Sequence, residues 1–415
     1  MNQPNVQTGT PVPPHIRPES VVDYDFYSDR RHDEVGDIHL ALHRMAEEEC
    51  RGIFWTPQNG GHWIINDYEL LFEAARDPGL FSSSALTLPP MPAGLEPRVV
   101  PVGLDPPVHG PYRMPLMKGF SPDRIRALEG DIRAFAVELI ERVAADGACD
   151  FVEAIAEPMP VIIFMKMMGM DTSRLREFRG WVYDMLSSSD ERRASSHRNI
   201  EAMMAPLIVA REKEPRDDLI SELVYSEVNG KRLTFDEVQA YCLLLFGAGL
   251  DTVANSLAFN MNYLAGDQAM QERLRADPSL IPEAVEESLR KFGIADVVRI
   301  ITRDAEFGGV QLKAGERVML MLAAGNYDPK IFPDPVTFDL DRENKTHISF
   351  NTGPHRCVGS HLARIELKVF LDEWFKRMPN VRRDPDQRVR LRGGQTLALE
   401  NLPLLWDPSE VVSAR

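Results

Sequence analysis

The 415-residue chain carries 63 acidic and 47 basic residues, and its formal net charge of −16 excludes a general affinity for nucleic acid or for anionic lipid. A hydrophobic content of 44% with 27% charged residues excludes a disordered chain and is typical of a soluble globular protein. We find neither 18 consecutive apolar residues nor a basic flank before an apolar stretch at the N-terminus, so we expect no membrane span, no signal peptide and a cytoplasmic protein. Four cysteines without a CxxC pair indicate reduced thiols.

The predicted elements are mostly helical. Residues 1–20 contain five prolines and no apolar periodicity, so we expect an extended arm there. A helix over 37–50 follows, and then a β-hairpin in which GIFWTP and GHWIIN flank the turn QNGG. Short strands are predicted late, over 297–320 and 390–406. The remaining segments with helical spacing are 66–77, 122–145, 150–170, 173–188, 195–213 and 216–227.

One long helix departs from the usual rules of helix composition. Thr234 and Glu237 form a predicted capping box, and the apolar pattern then continues to about residue 265. A helix of roughly 30 residues spans about 45 Å, which is enough to cross a domain. Its middle, GAGLDT at 247–252, places two glycines beside an acid and a hydroxyl, and each glycine costs about 1 kcal/mol relative to alanine. Such a cost indicates a functional role.

The stretch FNTGPHRCVGSHLARIE at 350–366 places Cys357 just before a predicted helix. Backbone N–H groups and the helix dipole at that position lower the pKa of a cysteine, and a thiolate is both a nucleophile and a soft metal ligand. Taken alone, Cys357 is more often a small core residue, and a catalytic nucleophile is a further alternative. The pattern FxxGxHxCxG is far more restrictive. Its members are Phe350, Gly353, His355, Cys357 and Gly359.

This pattern resembles the haem-ligand loop of cytochromes P450, in which a cysteine thiolate is the axial ligand of iron. The sequence EESLRKF contains ExxR as Glu287 and Arg290, and FPDPVTFDLDR supplies Arg342, so the three residues resemble the buried Glu-Arg-Arg cluster of that family. An ordinary ion pair on a helix is the competing interpretation of ExxR alone. The motifs occur in the family's order across nearly 200 residues. The resemblance covers almost the whole chain. The sequence is similar in particular to the bacterial camphor-hydroxylating enzyme and its relatives.

The resemblance implies a mainly α cytochrome P450 fold, in which residues 21–415 form a single haem domain with a small β region and a long central helix. The cofactor it implies is haem b, iron protoporphyrin IX with Cys357 as its metal ligand, beside Phe350 and Gly359. Four cationic or hydrogen-bonding residues match the partners of the haem propionates, and a solvated surface charge is the alternative for each. They are His109, Arg113, Arg299 and His355.

Two residues of the central helix match the family's oxygen-activation pair. The Thr252 hydroxyl is expected to hold the hydrogen-bond network of the bound oxygen, and the Asp251 carboxyl is expected to relay protons from outside. The competing interpretation is that Thr252 hydrogen-bonds back to a helix carbonyl.

A small apolar molecule is the expected substrate, because the resemblance is to terpenoid hydroxylases. The predicted pocket residues, for which core packing is the alternative, are Leu244, Gly247, Ala248, Ile294, Ala295, Val297 and Thr396.

Two departures from the camphor enzyme bear on the substrate. The segment 82–107 lacks the tyrosine that hydrogen-bonds a ketone in that enzyme, so a cyclic ether such as cineole is at least as plausible as camphor, and a norisoprenoid is a further alternative. Substitutes for the missing anchor are Ser83, Ser84 or Thr87. Val297 replaces an acid near a propionate, and Asp296 beside it is a candidate for compensation.

The leading hypothesis is therefore a monooxygenase that uses dioxygen and electrons from NADH. The electron donors are expected to be an FAD-dependent reductase and a two-iron two-sulfur ferredoxin, because the chain itself has no flavin or iron–sulfur motif. Lys118, Arg76 and Arg364 are candidates for a positive face toward an acidic ferredoxin, and a merely solvated surface is the preferred interpretation of each. The alternatives are a haem-thiolate peroxygenase or isomerase and a non-catalytic haem sensor. A monomer is expected from the resemblance.

Overall fold

Helices make up most of the described chain. The computed structural model describes residues 9–90, 99–171, 174–185 and 190–412. Within these ranges the α-helices are α1 (Arg30–Val35), α2 (Ile38–Glu48), α3 (Tyr68–Arg76), α4 (His109–Gly119), α5 (Pro122–Ala127), α6 (Glu129–Ala144), α7 (Pro158–Met167), α8 (Leu175–Met185), α9 (Asp190–Lys213), α10 (Leu219–Val224), α11 (Phe235–Leu264), α12 (Gln268–Ala276), α13 (Ile281–Lys291), α14 (Leu322–Gly325) and α15 (Ser360–Arg377).

The strands of the described chain are short and form small sheets. They are β1 (Ile53–Thr56), β2 (His62–Ile65), β3 (Phe81–Ser82), β4 (Ala148–Asp150), β5 (Glu227–Val228), β6 (Lys231–Arg232), β7 (Val297–Ile301), β8 (Ala305–Phe307), β9 (Val310–Leu312), β10 (Arg317–Leu320), β11 (Arg382–Arg383), β12 (Leu391–Arg392), β13 (Ala398–Leu399) and β14 (Pro403–Leu405). The largest sheet has the order β1-β2-β10-β7-β3, in which β2 and β10 are parallel. A second sheet has the order β11-β14-β4, and β12-β13, β5-β6 and β8-β9 are antiparallel pairs.

The predicted hairpin is confirmed, because β1 and β2 pair antiparallel with Phe54 opposite Ile64. The prediction of one helix over 122–145 is wrong, since the chain forms α5 and α6 with a break at Leu128. The predicted helix over 150–170 is α7 preceded by a separate π-helical turn. Pro158 begins α7, where its missing N–H needs no helical partner.

Residues 9–20 lie against the largest sheet. The Thr10 N–H donates to the Pro57 carbonyl, Arg17 donates to the Gly309 carbonyl, and Ile16 is buried in an apolar cluster that includes Trp55. Residues 1–8 of the expected arm lie outside the described residues.

Helix α11 begins with the predicted capping box, in which the Thr234 hydroxyl accepts from the Glu237 N–H and the Glu237 carboxylate accepts from the Thr234 N–H. By length and composition α11 could cross a membrane, which the sequence did not predict, but 61% of its apolar 18-residue window is buried inside the protein. It is therefore accounted for as the core helix of the fold.

Two large apolar clusters meet along α11. Its N-terminal half contributes Phe246 and Leu250 to one cluster, which contains residues of α7, α9 and α10, and its C-terminal half contributes Leu257 to the other, which contains residues of α6, α13 and α15. The polar residues at 251 and 252 lie where the clusters adjoin. Leu250 of the unusual segment is thus buried in the first cluster, whereas Asp251 and Thr252 are only partly buried.

Candidate haem and substrate site

A cavity of about 350 Å³ lies between the middle of α11 and the cysteine loop, which we define as residues 350–359. This size is within the range of small-molecule sites. The wall on the side of the cysteine loop includes Phe350, His355, Cys357, Gly359 and Ala363. The opposite wall includes Leu244, Ala248, Gly249, Thr252, Ile294, Ala295 and Val297.

Local backbone geometry directs Cys357 into the cavity. Its N–H donates to the Phe350 carbonyl across the loop with an N···O distance of 2.8 Å. Gly353 has φ +68°, and a Cβ there would lie 2.7 Å from the Ala75 carbonyl oxygen, so only glycine fits. A Cβ on Gly359 would lie 3.9 Å from the Cys357 sulfur, which is an ordinary van der Waals distance.

Opposing effects act on the pKa of the Cys357 thiol. Burial raises the pKa of the thiol, and the Gly359 N–H and the cations of Arg113, Arg364 and Arg356 only oppose that rise. Desolvation disfavours an isolated thiolate more than the helix N-terminus favours it.

His109, Arg113 and His355 line one corner of the cavity, and the buried Arg299 acts electrostatically on His355 from outside that lining. The ring centroids of His109 and His355 are 4.2 Å apart. The pKa of His355 is lowered to about 3, chiefly by burial and further by the charges of Arg299 and Arg113. The Nε2 atoms of both histidines are buried without a hydrogen-bond partner. Arg299 is 4% exposed and donates to the Val298 carbonyl, and burial lowers its pKa to about 10.

At this corner each of the two guanidinium groups donates to one backbone carbonyl, whereas the buried Nε2 atoms of the two histidines have no partner. Asp105 is the acid that acts electrostatically on Arg299 and on His109. Buried donors without partners are costly, so the corner favours ligand carboxylates. Two propionates at this corner and an iron facing Cys357 are the groups of haem b, so the residues fit the haem that the sequence resemblance implies.

The predicted Glu-Arg-Arg cluster forms and is buried. Glu287 and Arg290 are 0% exposed, and the Arg290 guanidinium donates to both carboxylate oxygens at 2.8 and 2.9 Å. The Arg342 Nε lies 3.2 Å from each of the same oxygens. The two guanidinium groups also donate to the carbonyls of Asn326, Pro333, Asp334 and Thr337. Every partner of the cluster is thus within the segments that support the cysteine loop.

Asp251 and Thr252 lie side by side on α11 but face different surroundings. Thr252 lines the cavity, and its hydroxyl donates to the Ala248 carbonyl at 3.0 Å, which is the competing interpretation considered for this residue. Because the hydroxyl proton is used there, the oxygen lone pairs remain as acceptors toward the cavity. Asp251 lies 3.5 Å from the Arg392 guanidinium of β12. Burial raises the Asp251 pKa, and Arg392 and Asn255 oppose the rise.

Five of the seven predicted pocket residues line the cavity, and two described residues do not. Gly247 faces away from it, because a Cβ there would lie 2.7 Å from the Met185 sulfur. Thr396 forms a β-bridge with Ala295 and lies behind that residue rather than on the cavity wall. The direction of the helix at 247 and the pairing at 396 explain these corrections.

The candidates for the missing polar anchor do not line the cavity either. Ser84 is hydrogen-bonded to the Ser82 hydroxyl, Ser83 is 1% exposed, and Thr87 presents its carbonyl to Arg317. Asp296 accepts from the Ala323 N–H at 3.3 Å and does not line the cavity, so it does not compensate for Val297. Part of the segment 82–107, residues 91–98, lies outside the described residues.

Sequence reasoning did not identify three charged residues near the site. Arg392 contacts Asp251, Glu286 pairs with Arg364, and Glu366 lines the cavity although it is 1% exposed. Glu366 follows the cysteine motif at a position where helical spacing predicts burial, which was an available signal. The other two contacts join residues 141 and 78 positions apart and have no local signal.

Comparisons with known proteins agree with this geometry. The cytochrome P450 family model matches residues 150–378. A protein of Sinorhizobium fredii named probable cytochrome P450 127A1 is 33% identical over 95% of this chain and 97% of its own length. The steroid C26-monooxygenase of Mycobacterium tuberculosis is 33% identical over 91% of this chain and 98% of its own length. The crystal structure of CYP101J2 superposes with a TM-score of 0.90 at 34% identity, covering 96% of this chain and all of that one.

Proposed function

We propose that this chain, which belongs to the cytochrome P450 family, hydroxylates a small apolar terpenoid, in the first place a bicyclic monoterpenoid such as cineole or camphor. The chain is a haem monooxygenase related to the bacterial camphor hydroxylase, and its cofactor is haem with a cysteine thiolate as the axial ligand. The proposal concerns the substrate, the residues that carry out the reaction and the electron donors.

Cys357 is the proposed thiolate ligand, and the four residues at the cationic corner are the proposed partners of the propionates. When bound, the haem supplies the activation of dioxygen that inserts one oxygen atom into a C–H bond. The support for Cys357 is its place on the cavity wall. The protein's part is to hold the sulfur at one position.

The observation that carries the substrate proposal is the wall opposite Cys357. Leu244, Ala248, Ile294, Ala295 and Val297 form it, and Thr252 is the polar residue at its centre. An apolar wall binds its ligand by shape and by removal of apolar surface from water.

The proton supply is proposed to run along α11. The Asp251 carboxyl is oriented by Arg392 and has one oxygen without a hydrogen-bond partner, so it can take a proton from outside and pass it on. Thr252 presents its lone pairs to the cavity and could there accept a hydrogen bond from a protonated ligand of the haem. Asp251 would thus transfer protons, and Thr252 would hold the ligand by a hydrogen bond.

Electrons must come from redox partner proteins, and we propose a two-iron two-sulfur ferredoxin served by an FAD-dependent NADH reductase. On α4, Met114 and Met117 are 64% and 46% exposed, and the basic Lys118 follows them in the same helix. Arg76 is stacked 4.9 Å above the exposed ring of Phe72 on α3, which packs against the cysteine loop. An acidic partner fits such a mixed apolar and basic surface. A cytoplasmic, monomeric, single-domain protein completes the proposal.

The first experiment is an optical titration of the purified ferric protein with camphor, cineole, ionones, fatty acids and a steroid. Displacement of iron-bound water is expected to shift the spectrum from low to high spin with a bicyclic ether or ketone and only weakly with the steroid. The absence of a haem spectrum would overturn the function, and a spectrum that only the steroid shifts would overturn the substrate.

Product formation with surrogate ferredoxin and reductase then separates the monooxygenase from its alternatives. A sensor is expected to shift its spectrum without forming product, and a peroxygenase or isomerase is expected to form product without electrons. Hydroxylated product that depends on both NADH and dioxygen supports the proposal.

A further inference from the structure

Arg364 of α15 does not behave as a free surface cation. The sequence makes it a candidate for the positive face or a solvated surface charge, but its guanidinium donates to both carboxylate oxygens of Glu286 at 2.5 and 2.9 Å. The side chains are 28% and 29% exposed, so both charges are largely withdrawn from solvent. Two parallel hydrogen bonds of this kind fix geometry as well as charge. Arg364 is therefore committed to a contact within the protein.

The same guanidinium also holds the cysteine loop. Its central carbon lies 4.7 Å above the ring of Phe350, a distance at which a cation is attracted to an aromatic face. The Phe350 carbonyl in turn accepts the N–H of Cys357 at 2.8 Å. A continuous set of contacts thus joins Glu286 on α13, Arg364 on α15 and the backbone of the cysteine.

Helix α13 supports the loop twice from neighbouring positions. Glu287 points toward Arg290 in the buried cluster. Glu286, the preceding residue, is rotated by about 100° about the helix axis and points toward α15. His347 stands on the other side of Glu286, with 3.4 Å between its Nε2 and the carboxylate. Burial would raise the Glu286 pKa, but His347 and Arg364 lower it to about 2. The pair is consequently ionised at neutral pH.

The two charges of the pair are not equivalent toward the cysteine. Arg364 is one of the cations that act on the Cys357 sulfur, together with Arg113 and Arg356. Glu286 is paired with that guanidinium and therefore reduces the positive charge that the sulfur experiences. Groups beyond the direct ligand are known to tune a metal through the ligand's position and charge.

We propose that Arg364 and Glu286 are positioning residues that clamp the cysteine loop through Phe350 and set the reduction potential of the haem by balancing the charge near its thiolate. The proposal rests on the role proposed for Cys357 and does not depend on which substrate is bound.

The test is the ferric–ferrous reduction potential of the holoprotein with substitutions in each partner. Arg364→Met removes a positive charge and leaves Glu286 unpaired, so the potential is expected to fall. Glu286→Gln keeps the shape but removes a negative charge, so the potential is expected to rise. Arg364→Lys keeps the charge and loses the fork and the stacking, so the potential should stay near that of the wild type.

Loop integrity is read separately from the absorption spectrum of the reduced protein under carbon monoxide. Arg364→Lys and Arg364→Met are both expected to lose the thiolate-type band faster than the wild type on standing. Arg275→Met is the matched control, because Arg275 also lies over a ring of α15, Phe375 at 5.7 Å, but contacts no part of the cysteine loop. It should change neither the potential nor the band.

Shifts of opposite sign in the reduction potentials of Arg364→Met and Glu286→Gln support the proposal, because loss of a merely structural pair would shift both potentials in the same direction. If Arg364→Met does not retain haem, Glu286→Gln alone decides, and an unchanged or lowered potential in that variant overturns the charge balance. A wild type without the thiolate-type band would instead overturn the role of Cys357 itself.

Discussion

The two walls of the cavity are built in different ways. The wall on the cysteine side is fixed by charge: the buried Glu287 cluster, the Glu286–Arg364 pair and the hydrogen bond to the Cys357 N–H all restrain the same short loop. The wall on the side of α11 is fixed by apolar packing, and in it the Thr252 hydroxyl bonds only to its own helix. The reactive centre is thereby held by contacts that do not depend on the substrate, whereas the substrate faces side chains that can change without moving that centre.

The largest expected effect is on the cysteine side. Glu287→Ala leaves the buried charges of Arg290 and Arg342 without their carboxylate, which costs on the order of 3–5 kcal/mol. We expect loss of haem and a much lower free energy of unfolding in urea. Glu283→Ala on the same helix is the control, because its carboxylate is 49% exposed and its pair with Lys345 is worth at most about 1 kcal/mol. Equal losses in both variants would remove the contrast between the walls.

A pH-dependent loss of stability is expected from Glu366, which burial gives a pKa of about 8. In the unfolded chain this carboxyl releases its proton at about pH 4.3. Between roughly pH 5 and 8 the native state therefore holds more protons than the unfolded chain, and the stability of the native state falls as pH rises. Glu366→Gln should remove this decline and be more stable than the wild type at pH 8 by on the order of 2–4 kcal/mol. Urea unfolding of the holoprotein at both pH values measures it. Parallel declines in variant and wild type would contradict the assignment.

On the side of α11, Asp251→Asn is expected to lower the rate of product formation about 100-fold, because general acid–base groups contribute at least that much. Haem content and substrate titration should remain as in the wild type. Asp236→Asn, an exposed acid in the first turn of the same helix, is the control and should retain the rate. A rate within about twofold of the wild type for Asp251→Asn would exclude the relay.

Thr252→Ala is expected to consume NADH but to release more peroxide. The variant loses one hydrogen bond to the protonated ligand of the haem, worth about 1 kcal/mol, so the fraction of electrons recovered in product should fall roughly fivefold. Thr252→Ser, which keeps the hydroxyl, should restore much of the coupling. Product per NADH and peroxide per NADH measure the effect, and unchanged coupling in the alanine variant would refute this role.

The smallest expected effect is on substrate choice. Ala248→Val adds two methyl groups to the cavity wall and should weaken the binding of larger terpenoids by about 1 kcal/mol, with little change for smaller ones. Ala240→Val, at a buried position of α11 away from the cavity, should leave the order of affinities unchanged. Identical orders of affinity in both variants would mean that the wall does not select the substrate by shape.

The features predicted well from sequence are those that a local pattern determines. The capping box of α11, the β1–β2 hairpin and a cysteine just before α15 each depend on residues within a few positions of one another. The family motif added the cationic corner, because it assigns His109 and His355 to one ligand although they are far apart in the chain. The break at Leu128 was missed, since helical spacing continues across it.

What sequence could not supply is the partner that a side chain meets across an interface. Gly247 and Ala248 are neighbours in one helix, yet only Ala248 reaches the cavity, because Met185 of α8 lies against Gly247. Arg364 was interpreted as a surface cation because nothing near it in the sequence indicates Glu286. Arg392 was missed because the orientation of β12 depends on the packing of the whole fold.

The parallel pairing of β2 with β10 constrains the order of events during synthesis. The hairpin of β1 and β2 is complete early, but its open edge receives β10 only about 250 residues later. At typical ribosomal rates of about 5–20 residues per second, that edge remains unpaired for roughly 12–50 s. An unpaired strand edge is a site of intermolecular association, so the nascent chain is most exposed to aggregation or chaperone binding at its first sheet, long before the haem site exists.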